Sequence, residues 1–142
     1  MCGIVGYISL NKTINHSNKI IEDAIEKLNK RGPDAKGHFR DEFCEMGHAR
    51  LSIIDTSDNA NQPIYDKDQR YVLVYNGEIY NYLELKKELI SKNYTFKSNS
   101  DTEVLLYGII EFGKEFIKKI KVFFSFCFYD KKEKYFLLGR DR

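Results

Sequence analysis

The chain has 142 residues, a length that fits one domain with a substantial core. Hydrophobic residues make up 42% and charged residues 31%, which argues for a folded, soluble protein and against disorder. The 23 Lys and Arg against 21 Asp and Glu leave a charge of +2 without a basic stripe, so no nucleic-acid partner is predicted. No apolar run approaches the roughly 20 residues that span a bilayer and no signal peptide is evident, so we predict a cytoplasmic protein without a membrane partner.

The first half of the chain predicts a strand, a helix and a pair of strands. IVGYISL is the first strand, and SNKIIEDAIEKLNK is a helix with Ser17 as its N-cap. The predicted buried face of this helix consists of Ile20, Ile21, Ala24, Ile25 and Leu28. RGPDAKG breaks the helical pattern, and HFRDEFCEMGHARLSIID then predicts two strands joined by a charged turn. A polar loop follows over residues 55–68.

The second half predicts further helices and strands. YVLVYNGEIYN begins as a strand, and LELKKELI is a short helix. Ser100 and Glu103 have the spacing of a capping box, which predicts a helix that Gly113 ends. VFFSFCFYD and YFLLG predict a hairpin around KKEK. This order favours an α+β domain with mostly antiparallel sheets. The chain stops directly after an apolar strand, so we expect residues 1–142 to be incomplete at the C-terminus.

The three cysteines have neither the even number of a disulfide framework nor the spacing of a zinc site. Cys44 and Cys127 lie in apolar strand patterns and are predicted to be buried packing. Cys2 becomes the first residue if Met1 is removed. Its α-amine, with a pKa of roughly 7.7 to 8.0, is then partly neutral near pH 7 and can act as a base for the thiol of the same residue. On position alone, an inert cysteine is the commoner alternative.

The dipeptide Asn76-Gly77 allows two interpretations. By itself it favours a two-residue hairpin turn. The helix-like stretch that follows weakens this interpretation, because a hairpin needs a returning strand. The functional alternative is an oxyanion hole, in which the Asn76 amide and the Gly77 backbone N–H point at a developing negative oxygen.

Two opposite charges suggest a site for a free amino acid. If Arg50 and Asp101 face one pocket, the guanidinium suits an α-carboxylate and the carboxylate suits an α-ammonium group. Ordinary surface charges are the alternative. His16, His38 and His48 lack metal-ligand spacing and are predicted to be structural or solvent-facing, so no metal site is predicted.

Eight segments of the chain match one known family in order and spacing: MCGIVGYI, KLNKRGPDAKG, GHARLSIID, QPI, YNGEIYN, SDTEVLL, FSFCFYD and LLGRDR. Together they resemble the class II glutamine amidotransferase domain of glutamine-hydrolysing asparagine synthetase, over essentially the whole chain. The resemblance implies an N-terminal nucleophile hydrolase fold, an αββα sandwich of two antiparallel sheets between helix layers. One departure is Val122, where the family usually has Gly and where a positive φ would strain a β-branched residue.

The resemblance also implies a role for each site residue. Cys2 would attack the side-chain amide of L-glutamine, and Asn76 and Gly77 would form the oxyanion hole, which completes the catalytic set. Arg50 would hold the α-carboxylate, and Glu78 and Asp101 would contact the α-amino group. The full predicted glutamine-binding set is Arg50, Leu51, Ser52, Ile53, Ile54, Asn76, Gly77, Glu78 and Asp101. A thioester forms as ammonia leaves, and water then frees glutamate; this step needs no cofactor.

In the family, the ammonia passes to a C-terminal synthetase domain that uses ATP and Mg to convert aspartate into asparagine. This chain has no Ser-Gly-Gly-x-Asp pyrophosphate loop, so by itself it is expected to be at most a glutaminase, and a homodimer is left open as its assembly. The alternatives are a related amidotransferase with another acceptor and an inactive glutamine-binding remnant. Glucosamine-6-phosphate synthase is disfavoured, because RGPDAKG and HARLSIID replace the RGYDS-like and HTRWATHG-like segments expected there.

Overall fold

The structure, a computed structural model, describes residues 2–9 and 19–141; His16 and the predicted N-cap Ser17 lie outside these ranges. The elements of the described chain are β1 (Gly3–Ile8), α1 (Ile20–Lys27), β2 (Ala35–Arg40), β3 (Cys44–Arg50), β4 (Ile64–Tyr65), β5 (Tyr71–Ile79), α2 (Tyr82–Ser91), α3 (Asp101–Phe112), β6 (Val122–Asp130) and β7 (Tyr135–Arg140). Short 3-10 helices span Asp58–Ala60 and Gly113–Lys118. Within the described ranges, no helix is both long and apolar enough to cross a bilayer.

The strands form two antiparallel sheets. The first has the order β1-β3-β2 and the second the order β4-β5-β6-β7. The predicted α+β class with antiparallel sheets is therefore confirmed. The hairpins β2–β3 and β6–β7 lie where the sequence predicts them, whereas β4 is a short strand inside the segment predicted to be a loop.

The second sheet packs a separate hydrophobic core on each of its two faces, because successive side chains along its strands point to opposite faces. One face contributes Val72, Val74, Cys127 and Tyr129 to a cluster with Phe39, Cys44 and Met46 of the first sheet. The other face contributes Leu73, Tyr75, Phe126 and Phe128 to a cluster with the buried side chains of α2 and α3. The helix α1 covers the outer face of the first sheet, where a Cβ at Gly47 would lie 2.5 Å from Ile25. These four layers are the αββα arrangement that the resemblance implies.

The helix termini differ from the predictions in two details. Ile21 and Ile25 of α1 are buried as predicted, but Ile20 is 58% exposed because it begins the helix at the edge of the contact with the sheet. Ser100 is the N-cap of α3, and its hydroxyl accepts from the Thr102 N–H at 3.0 Å. The prediction of a capping box is wrong. The Glu103 carboxylate does not return to the Ser100 N–H but accepts from the backbone N–H of Ser98 at 2.8 Å.

The backbone conformations at Gly113 and Val122 suit the residues found there. Gly113 ends α3 with a φ of +61°, a conformation that glycine adopts without a Cβ penalty. Val122 is the first residue of β6 and pairs with Ile79, so the backbone there is extended and makes no turn that would need glycine.

Candidate active site

A pocket of about 160 Å³ gathers nearly all of the residues predicted for the site. The predicted residues that line it are Cys2, Arg50, Leu51, Ile53, Ile54, Asn76, Gly77, Glu78 and Asp101. Ser52 is the predicted residue that does not line it; its backbone N–H donates to Asp34 Oδ2 at 2.7 Å. Residues far apart in sequence therefore meet where the start of β1, the end of β3, the second half of β5 and the start of α3 come together.

Cys2 lies half-buried at one wall of this pocket. Its Sγ accepts a hydrogen bond from the Leu51 N–H at 3.3 Å, and the thiol also donates to the Leu51 carbonyl at 3.6 Å. The Arg31 Nε–H donates to the Cys2 carbonyl at 3.3 Å. The sulfur is thereby fixed beside the segment that follows Arg50.

Asn76 and Gly77 do not form a hairpin turn. Both lie inside β5, where Asn76 pairs with Ser125 and Gly77 with Phe124, so the hairpin interpretation is wrong. A Cβ at Gly77 would lie 2.4 Å from the Phe123 carbonyl oxygen and 2.7 Å from Tyr75 Oη. Because real Cβ atoms do not approach other atoms so closely, this strand position admits only glycine.

The direction of the Gly77 N–H follows from the hydrogen bonds of its neighbours. In an antiparallel strand, backbone groups alternate between the two edges. The Tyr75 N–H donates to Gln62 Oε1 at 2.6 Å, and the Ile79 N–H donates to Asp101 Oδ2 at 2.9 Å; both point away from β6. The Gly77 N–H lies between them on the same edge. Since Gln62 and Asp101 both line the pocket, this N–H faces it.

Arg50 is 6% exposed and is held by the loop that follows β3. Its Nη1 donates to the Ser57 carbonyl at 2.9 Å and to Asn61 Oδ1 at 2.7 Å, and its Nη2 donates to the Asp55 carbonyl. A guanidinium has five N–H donors, so within the described residues two remain for a ligand. Arg50 therefore also shapes the loop, a role that the sequence does not predict.

Asp101 is 5% exposed and is the first residue of α3. Its Oδ2 accepts from the Ile79 N–H and, at 3.4 Å, from the Tyr75 hydroxyl. Burial raises the pKa of the Asp101 carboxyl. Hydrogen bonds to the carboxylate oppose this rise, and the bond from the Ile79 N–H has the largest effect among them. The carboxylate thus joins the helix start to β5 at the wall of the pocket.

Eight further residues that line the pocket were not predicted for the site, among them Asp55 and Gln62. Asp55 Oδ2 accepts from the Asn99 N–H at 2.8 Å, and hydrogen bonds from Ser57 lower the pKa of Asp55. Gln62 is buried and, besides its bond to Tyr75, donates from Nε2 to Thr102 Oγ1 at 3.3 Å. The segment QPI, a polar residue before a loop proline, was the signal available for Gln62.

His48 lies outside the pocket lining and is fully buried. Burial lowers its pKa to about 4, so the ring is neutral near pH 7. Its Nε2 lies 3.1 Å from the Tyr75 carbonyl, an acceptor, so Nε2 carries the proton and donates. Nδ1 is buried and has no hydrogen-bond partner among the described residues. The position fits the predicted structural role.

His38 belongs to a polar cluster beneath α1, on the outer face of the first sheet. Ligand-type atoms of Glu22, His38 and Glu45 lie within 4.8 Å of one another, a grouping that sequence spacing does not reveal. The Arg40 guanidinium lies among them, with Nη2 2.8 Å from Glu22 Oε1 and Nε 3.3 Å from Glu45 Oε1. Because this cation already pairs with both carboxylates, we assign no metal to the cluster.

Comparison with solved structures identifies the class of fold. The glutamine phosphoribosylpyrophosphate amidotransferase of Bacillus subtilis aligns with a TM-score of 0.53 and 23% identity, over 65% of this chain and 22% of that one. The layered sheets described above are thus a fold that this amidotransferase shares.

Sequence comparison is more specific. The family model described as glutamine amidotransferase domain matches residues 1–142, so the chain belongs to the glutamine amidotransferase domain family. The chain is 39% identical to asparagine synthetase [glutamine-hydrolyzing] 1 of Bacillus subtilis, over 99% of its own length and 22% of that protein. It is 37% identical to asparagine synthetase [glutamine-hydrolyzing] of Zea mays, over 99% of its own length and 24% of that protein.

These matches confirm the resemblance. The chain corresponds to the glutamine amidotransferase part of asparagine synthetases, and it spans about a quarter of the length of these relatives. Family membership implies glutamine as the substrate. The alternative of a related amidotransferase with another acceptor is not favoured.

Proposed function

We propose that the chain hydrolyses the side-chain amide of L-glutamine, with Cys2 as the nucleophile once Met1 has been removed. One observation carries the proposal: Cys2, Arg50, Gly77 and Asp101, which are far apart in sequence, line one pocket. Each offers a different group to a bound amino acid, namely a thiol, a cation, an N–H donor and an anion. A glutamine molecule presents matching partners for all four groups.

The proposed reaction begins at the two functional groups of Cys2. The free α-amine accepts the thiol proton, and the sulfur forms a bond to the carbon of the side-chain amide. The tetrahedral oxyanion accepts hydrogen bonds from the Asn76 amide and the Gly77 N–H. The C–N bond then breaks, the nitrogen takes the proton from the α-amine, and ammonia leaves a thioester. Water attacks the thioester and frees glutamate and the thiol.

Binding of the amino-acid end relies on charge. The two N–H donors of Arg50 that the 55–61 loop leaves suit the α-carboxylate. The carboxylates of Asp101 and Glu78 suit the α-ammonium group, and Ile53 and Ile54 add apolar walls. The proposed step uses a thiol, an amine and hydrogen-bond donors, so we assign no cofactor to it.

The test compares Cys2→Ala with the wild-type chain, with glutamate and ammonia measured separately. We expect Cys2→Ala to lower glutamate release by at least about a thousandfold, as removal of a catalytic nucleophile does, and to keep measurable glutamine binding by calorimetry. Cys44→Ala is the matched control, because this second thiol lies fully buried between the sheets. Intact mass should show Met1 absent from active protein; active protein that retains Met1 would contradict the mechanism.

We further propose that residues 1–142 serve as the glutaminase domain of a longer asparagine synthetase. In that parent, a second domain would use ATP and Mg to convert aspartate and the released ammonia into asparagine. The names and greater length of the relatives support this proposal. The chain given glutamine, aspartate, ATP and Mg should produce glutamate without asparagine, and asparagine formed by this chain alone would overturn the division. A homodimer and a cytoplasmic location stay predictions.

A further inference from the structure

Tyr75 is fixed along its backbone by two buried side chains. Its N–H donates to Gln62 Oε1 at 2.6 Å, and its carbonyl accepts from His48 Nε2 at 3.1 Å. Both partners are less than a tenth exposed. Since the hydrogen bonds reach both backbone groups of one residue, the Cα position of Tyr75 is closely defined before its side chain is considered.

The Tyr75 hydroxyl reaches the proposed ammonium-binding carboxylate. It lies 3.4 Å from Asp101 Oδ2, the same oxygen that accepts the Ile79 N–H at 2.9 Å. Burial, and then the charge of Asp101, raise the pKa of Tyr75. The phenol therefore keeps its proton near pH 7 and acts as the donor of this bond. With two donors on one oxygen, the Asp101 side chain is restricted to one orientation.

The same side chain supports the glycine of the proposed oxyanion hole. A Cβ at Gly77 would meet Tyr75 Oη at 2.7 Å and Tyr75 Cε2 at 2.8 Å. Tyr75 and Gly77 are two residues apart in β5, so both present their side-chain positions to the same face of the strand. The outer end of the ring thus lies against Gly77 on one side and against Asp101 on the other.

We propose that Tyr75 is a positioning residue for glutamine, which fixes the separation between the Asp101 carboxylate and the Gly77 N–H. These two groups would hold opposite ends of the substrate, the α-ammonium group and the side-chain amide oxygen. This inference rests on the proposed glutaminase function. Tyr75 itself acts through its neighbours and is given no part in bond making or breaking.

Tyr75→Phe tests the proposal because it removes the hydroxyl and keeps the ring. In a Cys2→Ala background, we expect the dissociation constant for glutamine to rise about tenfold, in keeping with the loss of a hydrogen bond to a charged group. In the chain with Cys2 present, KM for glutamine should rise by a similar factor while kcat changes by less than about twofold. Binding in the first background needs no α-amine base, so it isolates the carboxylate.

The pH dependence of binding gives a signature that loss of packing does not produce. The hydroxyl stabilises the ionised form of Asp101, so its removal raises the pKa of that carboxyl. Glutamine binding by Cys2→Ala/Tyr75→Phe should therefore weaken at a higher pH on acidification than binding by Cys2→Ala. The other titratable and charged groups that face the pocket are unchanged between these two chains: Arg50, Asp55, Glu78 and Tyr80.

Tyr129→Phe is the matched control. Tyr129 is fully buried and donates its hydroxyl to Asp41 Oδ2 at 2.7 Å, but it lies in the core between the two sheets. Glutamine binding and its pH dependence should be unchanged in this variant. Equal effects of the two substitutions, or a Tyr75→Phe chain with wild-type affinity and pH dependence, would overturn the positioning role. A wild-type chain that releases no more glutamate than Cys2→Ala would instead overturn the proposed function.

Discussion

The two halves of β5 use the same strand geometry for different purposes. From Tyr71 to Tyr75, both faces are packed: Val72 and Val74 meet the first sheet, and Leu73 and Tyr75 meet the helices. From Asn76 to Glu78, the residues are half-buried or exposed and line the pocket. Pairing with β6 continues without interruption through both halves.

The difference lies at the other edge of the strand. In the first half, β4 pairs with Leu73 and Val72 through backbone groups. From Tyr75 onward, side chains replace the missing strand: Gln62 accepts from the Tyr75 N–H and Asp101 from the Ile79 N–H. The short length of β4 thus leaves one edge of β5 open between these side chains. Because its hydrogen bonds are satisfied locally, the strand can present the Gly77 N–H without losing its order.

The largest expected effect on stability comes from the packed half. Leu73→Ala should lower the free energy of unfolding by about 2 to 5 kcal/mol, since Leu73 is fully buried and its loss leaves a cavity against the helices. Urea denaturation followed by circular dichroism measures this change. Kinetic constants of the folded chain should stay within about twofold of wild type, because Leu73 lies outside the pocket lining. An increase in KM and a decrease in kcat without a loss of stability would contradict the separation of the two halves.

Substitution in the pocket half, residues 76–78, should instead impair catalysis and leave stability nearly unchanged. Asn76→Ala should lower kcat by about a hundredfold to a thousandfold, the usual effect of removing one oxyanion-hole donor. The free energy of unfolding should change by less than about 1 kcal/mol, because Asn76 is only half-buried. Steady-state glutamate release and urea denaturation of the same preparation give both numbers.

Asn81→Ala provides the control for Asn76→Ala. Its side chain donates to the Lys119 carbonyl at 3.0 Å and accepts from the Lys121 N–H at 3.0 Å, so it holds the backbone before β6 and does not line the pocket. We expect lower stability with unchanged kcat in the folded chain. An Asn76→Ala chain with wild-type kcat would remove Asn76 from the proposed oxyanion hole.

The contrast between the halves of β5 also marks the limit of sequence reasoning. The apolar run YVLVY predicted a strand, and the strand is where it was predicted. Asn76-Gly77 then gave a local turn signal, which was overridden by pairing with Ser125 and Phe124 some fifty residues away. A local pattern cannot report such a partner, and only the resemblance to a whole family favoured the oxyanion interpretation.

Gln62 and Tyr75, which support the site, were not predicted for a similar reason. Gln62 and Tyr75 are 13 residues apart and Tyr75 and Asp101 are 26 apart, and each contact depends on how a loop or helix start packs on β5. The resemblance supplied the residues that would touch glutamine, and all but Ser52 line the pocket. The resemblance did not indicate the hydrogen bonds from Arg50 to Ser57 and Asn61, because these bonds hold the loop in place and have no sequence motif of their own.

The smallest predicted effect concerns His48, which supports the Tyr75 carbonyl between the two halves of β5. Burial lowers the folded-state pKa of His48 from 6.5 to about 4, so between these values the unfolded chain binds the proton and the folded chain does not. Stability should therefore fall as the pH falls through this window, by about 2 kcal/mol between pH 6.5 and 5. Asp101 acts in the opposite direction, because its pKa is raised in the folded state.

His48→Gln separates the two contributions, since its amide can still donate to the Tyr75 carbonyl but does not titrate. Urea denaturation from pH 5 to pH 7.5 should show that wild type loses more stability than His48→Gln on acidification, with the difference growing towards pH 5. Parallel curves for the two chains would show that His48 is protonated equally in the folded and unfolded states. That outcome would contradict the burial-lowered pKa of His48 but not its hydrogen bond to the Tyr75 carbonyl, because Nε2–H can donate in both the neutral and the protonated ring.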